Sequence, residues 1–192
     1  MLAGQTSPFD LGGFVADCRS ALQDGLSARA VREVVARAVS EPAALLRSLG
    51  APVRAQIQRL HHSSDLTILN VVWAPHMTLM PHDHRMWAVI GIYVGREDNV
   101  FWRRMQGDPT GKIESAGARS LAATDAVPLG PEIIHSVTNP TPRFTGAIHV
   151  YGGDFFGNRR SEWDPETLSE QPYSAEKIVR IFEEANRDHA PT

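Results

Sequence analysis

The sequence predicts a mainly β protein: an antiparallel sandwich or barrel of short strands, with helices before it and one helix after it. Three observations carry this expectation. Between about residues 54 and 160, short apolar segments rich in Val, Ile, Trp and Tyr alternate with the turn clusters "HHSSD", "QGDPTGK" and "TNPTP". No helical pattern separates these segments, as it would between the strands of a parallel sheet. On either side of them the apolar residues recur at helical spacing instead. A chain of 192 residues is long enough for one domain with a sizeable core, here divided into a helical segment (1–52), a β-barrel (53–160) and a C-terminal loop and helix (161–192).

Taken in order, "SARAVREVVARAVS" repeats Val31, Val34, Val35 and Ala38 on one helical face, with Ser27 as the expected N-cap. "SEPAALLRSLG" places Ser40 as cap, Pro42 in the first turn and Gly50 as the stop of a second helix. Both are expected to pack against the main body. "DLTILNVVWAP" is apolar at odd and even positions alike, the pattern of a strand covered on both faces. "TLMPHDHRMWAVIGIYVG" runs almost unbroken in apolar residues behind two histidines and an aspartate. "RRSEWDPETLSEQP" reads as loop, and "YSAEKIVRIFEEANRDH" as a final helix capped by Ser174. Trp73, Trp87 and Trp102 are expected on strands, between core and covering helices.

Composition removes several function classes. The net charge is -3 with no block of like charge, so no nucleic-acid or anionic-membrane footprint is present. The opening residues lack the basic flank and apolar core of a signal peptide, and no run of eighteen apolar residues occurs, which makes the cytoplasm the expected location. Cys18 is the single cysteine, excluding an internal disulfide and a thiolate-based zinc or iron-sulfur site. Any metal must then be held by nitrogen and oxygen.

The histidines supply such a site. Residues two apart on a strand share a face, so His82 and His84 point the same way as Met86, Ala88, Ile90 and Ile92, while Asp83, Arg85 and Trp87 point oppositely. His135 shares parity with Ile133, and Ala147, His149 and Tyr151 share a face one strand later. Buried polar rings need partners, and five of them on inward positions point to one metal site with supporting groups around it. Two imidazoles from one strand require a third from elsewhere, and His135 is the candidate. His61, His62, His76 and His189 lack this pattern and are assigned to surface or loop, as the N-terminal helices, Cys18, Arg159 and Arg160 are assigned to packing or surface.

"PHDHRMW" ahead of a glycine-terminated strand, then "PLG" and "HSVTN" with His135 four residues before Asn139, resembles the two motifs of the cupin superfamily. "PHDHRMWAVIG" together with "IHVYGG" resembles the bacterial thiol dioxygenases, the cysteine and 3-mercaptopropionate dioxygenase group. The similarity spans about residues 55 to 156. It implies a cupin double-stranded β-helix and a site holding Fe(II) on His82, His84 and His135, with zinc, nickel or manganese as alternatives. It further implies that Tyr151 orients the bound molecule, that His149 holds Tyr151, and that an arginine from an early strand, here Arg59, receives a substrate carboxylate. The implied partners are a small thiol and dioxygen, giving a sulfinate, in a monomer or homodimer.

Three departures from the wider superfamily sharpen the expectation. Ala88 and Val89 stand where most cupins carry a glutamate ligand, leaving three neutral imidazoles. Ala88 also replaces the cysteine that crosslinks to tyrosine in mammalian cysteine dioxygenases. Ala147 replaces a serine two residues before His149, shortening the relay by one group. The same ligands also fit two other functions: a cupin that binds metal or ligand without catalysis, and a metal-dependent isomerase or hydrolase.

Overall fold

Residues 7–23 and 27–189 are described by the computed structural model. Helices α1 (Leu11–Gln23), α2 (Ser27–Val39) and α3 (Pro42–Leu49) come first. The strands are β1 (Gln56–His62), β2 (Thr67–Trp73), β3 (Thr78–Asp83), β4 (Ala88–Val94), β5 (Arg96–Arg104), β6 (Ile113–Ala122), β7 (Ala126–Leu129), β8 (Ile134–Thr138), β9 (Thr145–Tyr151), β10 (Ser161–Trp163) and β11 (Glu170–Pro172). Helix α4 (Ala175–Asp188) follows.

The strands form two antiparallel sheets, ordered β1-β2-β9-β4-β7 and β11-β10-β3-β8-β5-β6. Strands β4, β7 and β9 of the first sheet each lie, along the chain, between strands of the second. This alternation is the jelly-roll, or double-stranded β-helix, arrangement that the sequence predicts.

The first sheet is covered on both faces, which is why β2, β4 and β9 read as continuous apolar runs. Its inner residues Leu69, Val71, Ile90, Ile92 and Ala147 fill the space between the sheets, closed at one end by Ile178 and Phe182 of α4. Its outer residues Ile68, Val89, Ile148 and Val150 pack under Val31, Val34, Val35 and Val39 of α2. Each such side chain, fully buried, contributes roughly 1.5–3 kcal/mol of transfer free energy. Gly91 sets the distance between these layers, because a Cβ there would stand 2.4 Å from Cγ1 of Val35.

Several local expectations are corrected. The run from residue 78 to 94 is not one strand: residues 84–87 form a bend that carries the chain from the second sheet to the first. Arg85 takes a positive φ of 53° there, a strained conformation for a side-chain-bearing residue. It is held by the buried Asp83, whose carboxylate accepts from Arg85 Nε at 2.5 Å and from the Ser161 backbone N–H at 2.8 Å. The same carboxylate thereby ties β3 to β10. The stretch read as loop contains β10 and β11, too short for a periodic signal; β10 pairs with β3 through Glu162 and His82.

Helix α3 is capped at Glu41, not Ser40, whose hydroxyl donates instead to the Arg37 carbonyl at 2.8 Å. Pro42 and Gly50 stand where expected. Ser174 caps α4, its Oγ accepting from Lys177 N. Ser27 is the first residue of α2, and its side chain and residues 1–6 lie outside the described residues. Of the tryptophans, Trp73 does bridge core and helix, 5.5 Å from the Phe182 ring. Trp87 sits in the bend rather than on a strand, and Trp102 packs near Trp163 on the far side of the second sheet.

Candidate metal centre

Strand pairing brings two of the histidines together. His82 of β3 stands opposite His135 of β8 in the ladder, with ring centroids 4.6 Å apart. His84, just past the end of β3, folds back over them, and its Nε2 lies 3.4 Å from Nε2 of His135. One ring nitrogen from each of the three lies within 4.8 Å of the others, and no carboxylate joins the group among the described residues. Two nitrogens each about 2.1 Å from one ion would stand roughly 3.0–3.4 Å apart, so the His84–His135 spacing fits a shared ligand sphere.

The other ring nitrogens are already committed. Nδ1–H of His82 donates to the Met80 carbonyl at 2.9 Å, and Nδ1–H of His135 donates to Oδ1 of Asn99 at 2.6 Å. In both residues Nε2 is left with its lone pair free for a cation, the arrangement that orients metal-bound imidazoles. Burial holds the His82 pKa down at about 4, against a partial upward pull from its bond to Met80. Burial, then the neighbouring histidines, hold those of His84 and His135 well below 6.5. All three rings are thus neutral at neutral pH, which is the ligating form.

The triad opens on a cavity of about 30 Å³, room for a single ion or water, bounded by Leu69, Trp73, His149, Tyr151, Phe155 and Arg160 among others. Outside it lies a vestibule of about 1240 Å³ between α4 and the 108–111 and 155–161 loops. Phe155, Arg160 and Tyr173 belong to both. The Arg160 guanidinium is stacked between the rings of Phe155, at 3.8 Å, and Tyr173, at 4.0 Å. Its Nε and Nη1 are buried without a protein partner. Buried cationic donors of this kind are chemically suited to an anionic partner.

Of the residues expected in the site, His82, His84, His135, His149 and Tyr151 are brought to one cavity. The Tyr151 hydroxyl meets His149 Nδ1 at 3.0 Å, and burial pushes the phenol pKa upward. Arg59 is corrected. It lies exposed on the edge strand β1, 6.0 Å over the Phe156 ring, and does not line the cavity. Ile57, two residues earlier on the same face of β1, is the strand's residue that lines the cavity. The cation that does line the cavity is Arg160, for which the sequence pattern predicts only packing or surface. Glu97, Asn99 and Trp73 complete the surroundings. Glu97 and Asn99 had a readable signal, since they share inward parity with Phe101 on β5.

Fold and side chains together define a jelly-roll protein with a buried three-histidine pocket fit for a divalent metal. No protein-family model matches the chain. Among solved structures, it is similar to an RmlC-like cupin family protein with a double-stranded β-helix fold from Methanocaldococcus jannaschii, at 10% identity and TM-score 0.44, over 54% of this chain and 84% of that one. A cupin superfamily protein from Desulfitobacterium hafniense matches at 12% identity and TM-score 0.42, over 54% and 82%. Oxalate decarboxylase from Bacillus subtilis, a protein with Mn(II) centres, matches at 15% identity and TM-score 0.39, over 50% of this chain and 23% of that one.

Proposed function

We propose that this protein is a non-haem iron thiol dioxygenase, converting a small carboxylated thiol of the cysteine or 3-mercaptopropionate kind to its sulfinate with dioxygen. The observation that carries the reading is the meeting, in one cavity, of three neutral imidazoles without a carboxylate, a tyrosine held by histidine, and a guanidinium with unpaired donors.

His82, His84 and His135 would hold the metal. Fe(II), when bound there, supplies a redox-active cation at which a thiol can lose its proton and meet dioxygen. Arg160, which borders both the cavity and the vestibule, receives the substrate carboxylate from the vestibule side, so that only the sulfur end enters the small cavity at the triad. The Phe155 and Tyr173 rings hold the guanidinium plane between them and exclude water from its faces. Tyr151, restrained by His149, orients the bound molecule. Both oxygen atoms of O2 pass to sulfur, so one thiol and one O2 give one sulfinic acid.

The test is oxygen uptake by anaerobically Fe(II)-loaded protein given cysteine, 3-mercaptopropionate and cysteamine in turn. One O2 consumed per sulfinate is expected with a carboxylated thiol. No uptake with any thiol would end the proposal.

A further inference from the structure

Glu97 is the charged side chain that the site does not account for. It lies on β5, is 0% exposed, and no lysine or arginine pairs with it among the described residues. Burying a carboxylate this completely is costly unless donors converge on it. Two do: Trp73 Nε1–H donates to Oε2 at 2.9 Å, and the Asn99 side-chain amide donates to Oε1 at 3.0 Å. A third group waits beside them. His149 Nε2 is buried without a hydrogen-bond partner, and it stands 3.7 Å from Oε2 of Glu97.

We infer that Glu97 is a positioning residue: one buried carboxylate that fixes where the protons sit on both His135 and His149. With Trp73 and Asn99 each donating to one of its oxygens, the side chain is used as an acceptor at both, and every group turned toward it must present a hydrogen. On the first arm, Asn99 must aim its NH2 at Glu97 and therefore its carbonyl at His135. That carbonyl requires a proton on His135 Nδ1, 2.6 Å away, and so leaves His135 Nε2 bare for the triad. Turning the Asn99 amide over would set two acceptors against each other and would place the His135 proton on the nitrogen facing His84. On the second arm, the nitrogen of His149 that faces the carboxylate carries the hydrogen. His149 Nδ1 is then an acceptor, and the Tyr151 hydroxyl donates to it across 3.0 Å.

The consequence reaches the cavity. With its proton committed to His149, Tyr151 offers oxygen lone pairs to whatever binds beside the triad; with the other tautomer it would offer a proton. The weight of that difference for catalysis rests on the thiol-oxidation reading above, whereas the proton positions do not.

The experiment is two-bond 1H–15N correlation on the full chain labelled at histidine nitrogens, without metal and with Zn(II), which reports the protonated nitrogen of each ring. No thiol or oxygen is involved, so a failed oxygenation assay leaves this test intact. The wild type is expected to show His149 protonated at Nε2 alone and His135 at Nδ1 alone. Glu97→Gln must place an NH2 against either arm, and should invert one of the two tautomers. Trp73→Phe, which removes a donor but keeps the carboxylate, should leave both as in the wild type even if it lowers stability. A wild-type His149 proton on Nδ1, or in a mixture, overturns the inference. So does retention of both tautomers in Glu97→Gln, or their change in Trp73→Phe. If Glu97→Gln does not fold, the wild-type and Trp73→Phe spectra still decide.

Discussion

Nε2 of His84 and Nε2 of His135 stand 3.4 Å apart, one from the bend after β3 and the other from β8. Two neutral imidazoles can face each other this closely if a proton or a cation lies between them. The free Nε2 of His82 close by favours the cation. Ligand binding to the folded state alone then raises stability by about 2.7 kcal/mol at a hundredfold excess over Kd. For a domain of this size, Zn(II) or anaerobic Fe(II) should raise Tm by roughly 5–10 °C. His84→Ala and His135→Ala should abolish that rise. Thermal melts with and without metal check it, and an equal rise in both variants would contradict it.

Arg160 should matter according to the charge of the substrate. Arg160→Met keeps much of the stem between Phe155 and Tyr173 but removes the donors. A charge-assisted bond lost without compensation costs about 1.5–3 kcal/mol, or roughly 10- to 150-fold in kcat/KM. That loss is expected for 3-mercaptopropionate and cysteine and should be small for cysteamine, which has no carboxylate. Arg59→Met should leave all three unchanged, because Arg59 lies outside the cavity. Steady-state kinetics on the two variants separate these expectations.

The neutral triad makes stability depend on pH in a stated direction. The pKa of His82 is held at about 4 in the fold, and that of an unfolded chain's histidine is near 6.5. Between those values the unfolded state binds more protons, so stability rises with pH. The metal-free protein should therefore keep its stability above about pH 6.5 and lose it as pH falls toward 4. His84 and His135, lowered in the same direction, steepen the fall. Denaturant midpoints measured across pH 4–8 would show it, and a midpoint that stayed level or rose on acidification would contradict the burial argument.

Gly91 is the tightest point between α2 and β4. A branched side chain there would collide with Val35, where the added Cβ alone meets Cγ1 at 2.4 Å, and with Val39 at 2.9 Å. Overpacking of this kind costs about 1–3 kcal/mol. Gly91→Val should lower Tm by roughly 2–12 °C while leaving the metal-induced rise intact, since the helices lie on the opposite face of the sheet from the triad.

The fold was legible because burial and chemistry agree along most of the chain. β2, β4 and β9 are apolar at both parities since helices cover one face and the second sheet covers the other. The parity rule brought His82 and His84 to one side even though residues 84–87 are a bend, because that bend returns the chain to the same cavity. The same parity turns Glu97 and Asn99 inward on β5. Arg160 was beyond reach. It lies between Gly157 and β10, in a segment with no period, and only the fold shows that Phe155 and Tyr173 turn its guanidinium inward. The three-residue strands β10 and β11 were hidden for a related reason, since three residues are too few to display alternation.

In the proposed reaction, oxygen is delivered to sulfur at the histidine triad. Fe(II)-loaded protein, mixed with 3-mercaptopropionate or cysteine under 18O2 in ordinary water, should release a sulfinate in which mass spectrometry finds both oxygen atoms heavy. His84→Ala treated identically should release none. Product oxygen drawn from water, or thiol recovered unchanged or only as its disulfide, would contradict the assignment.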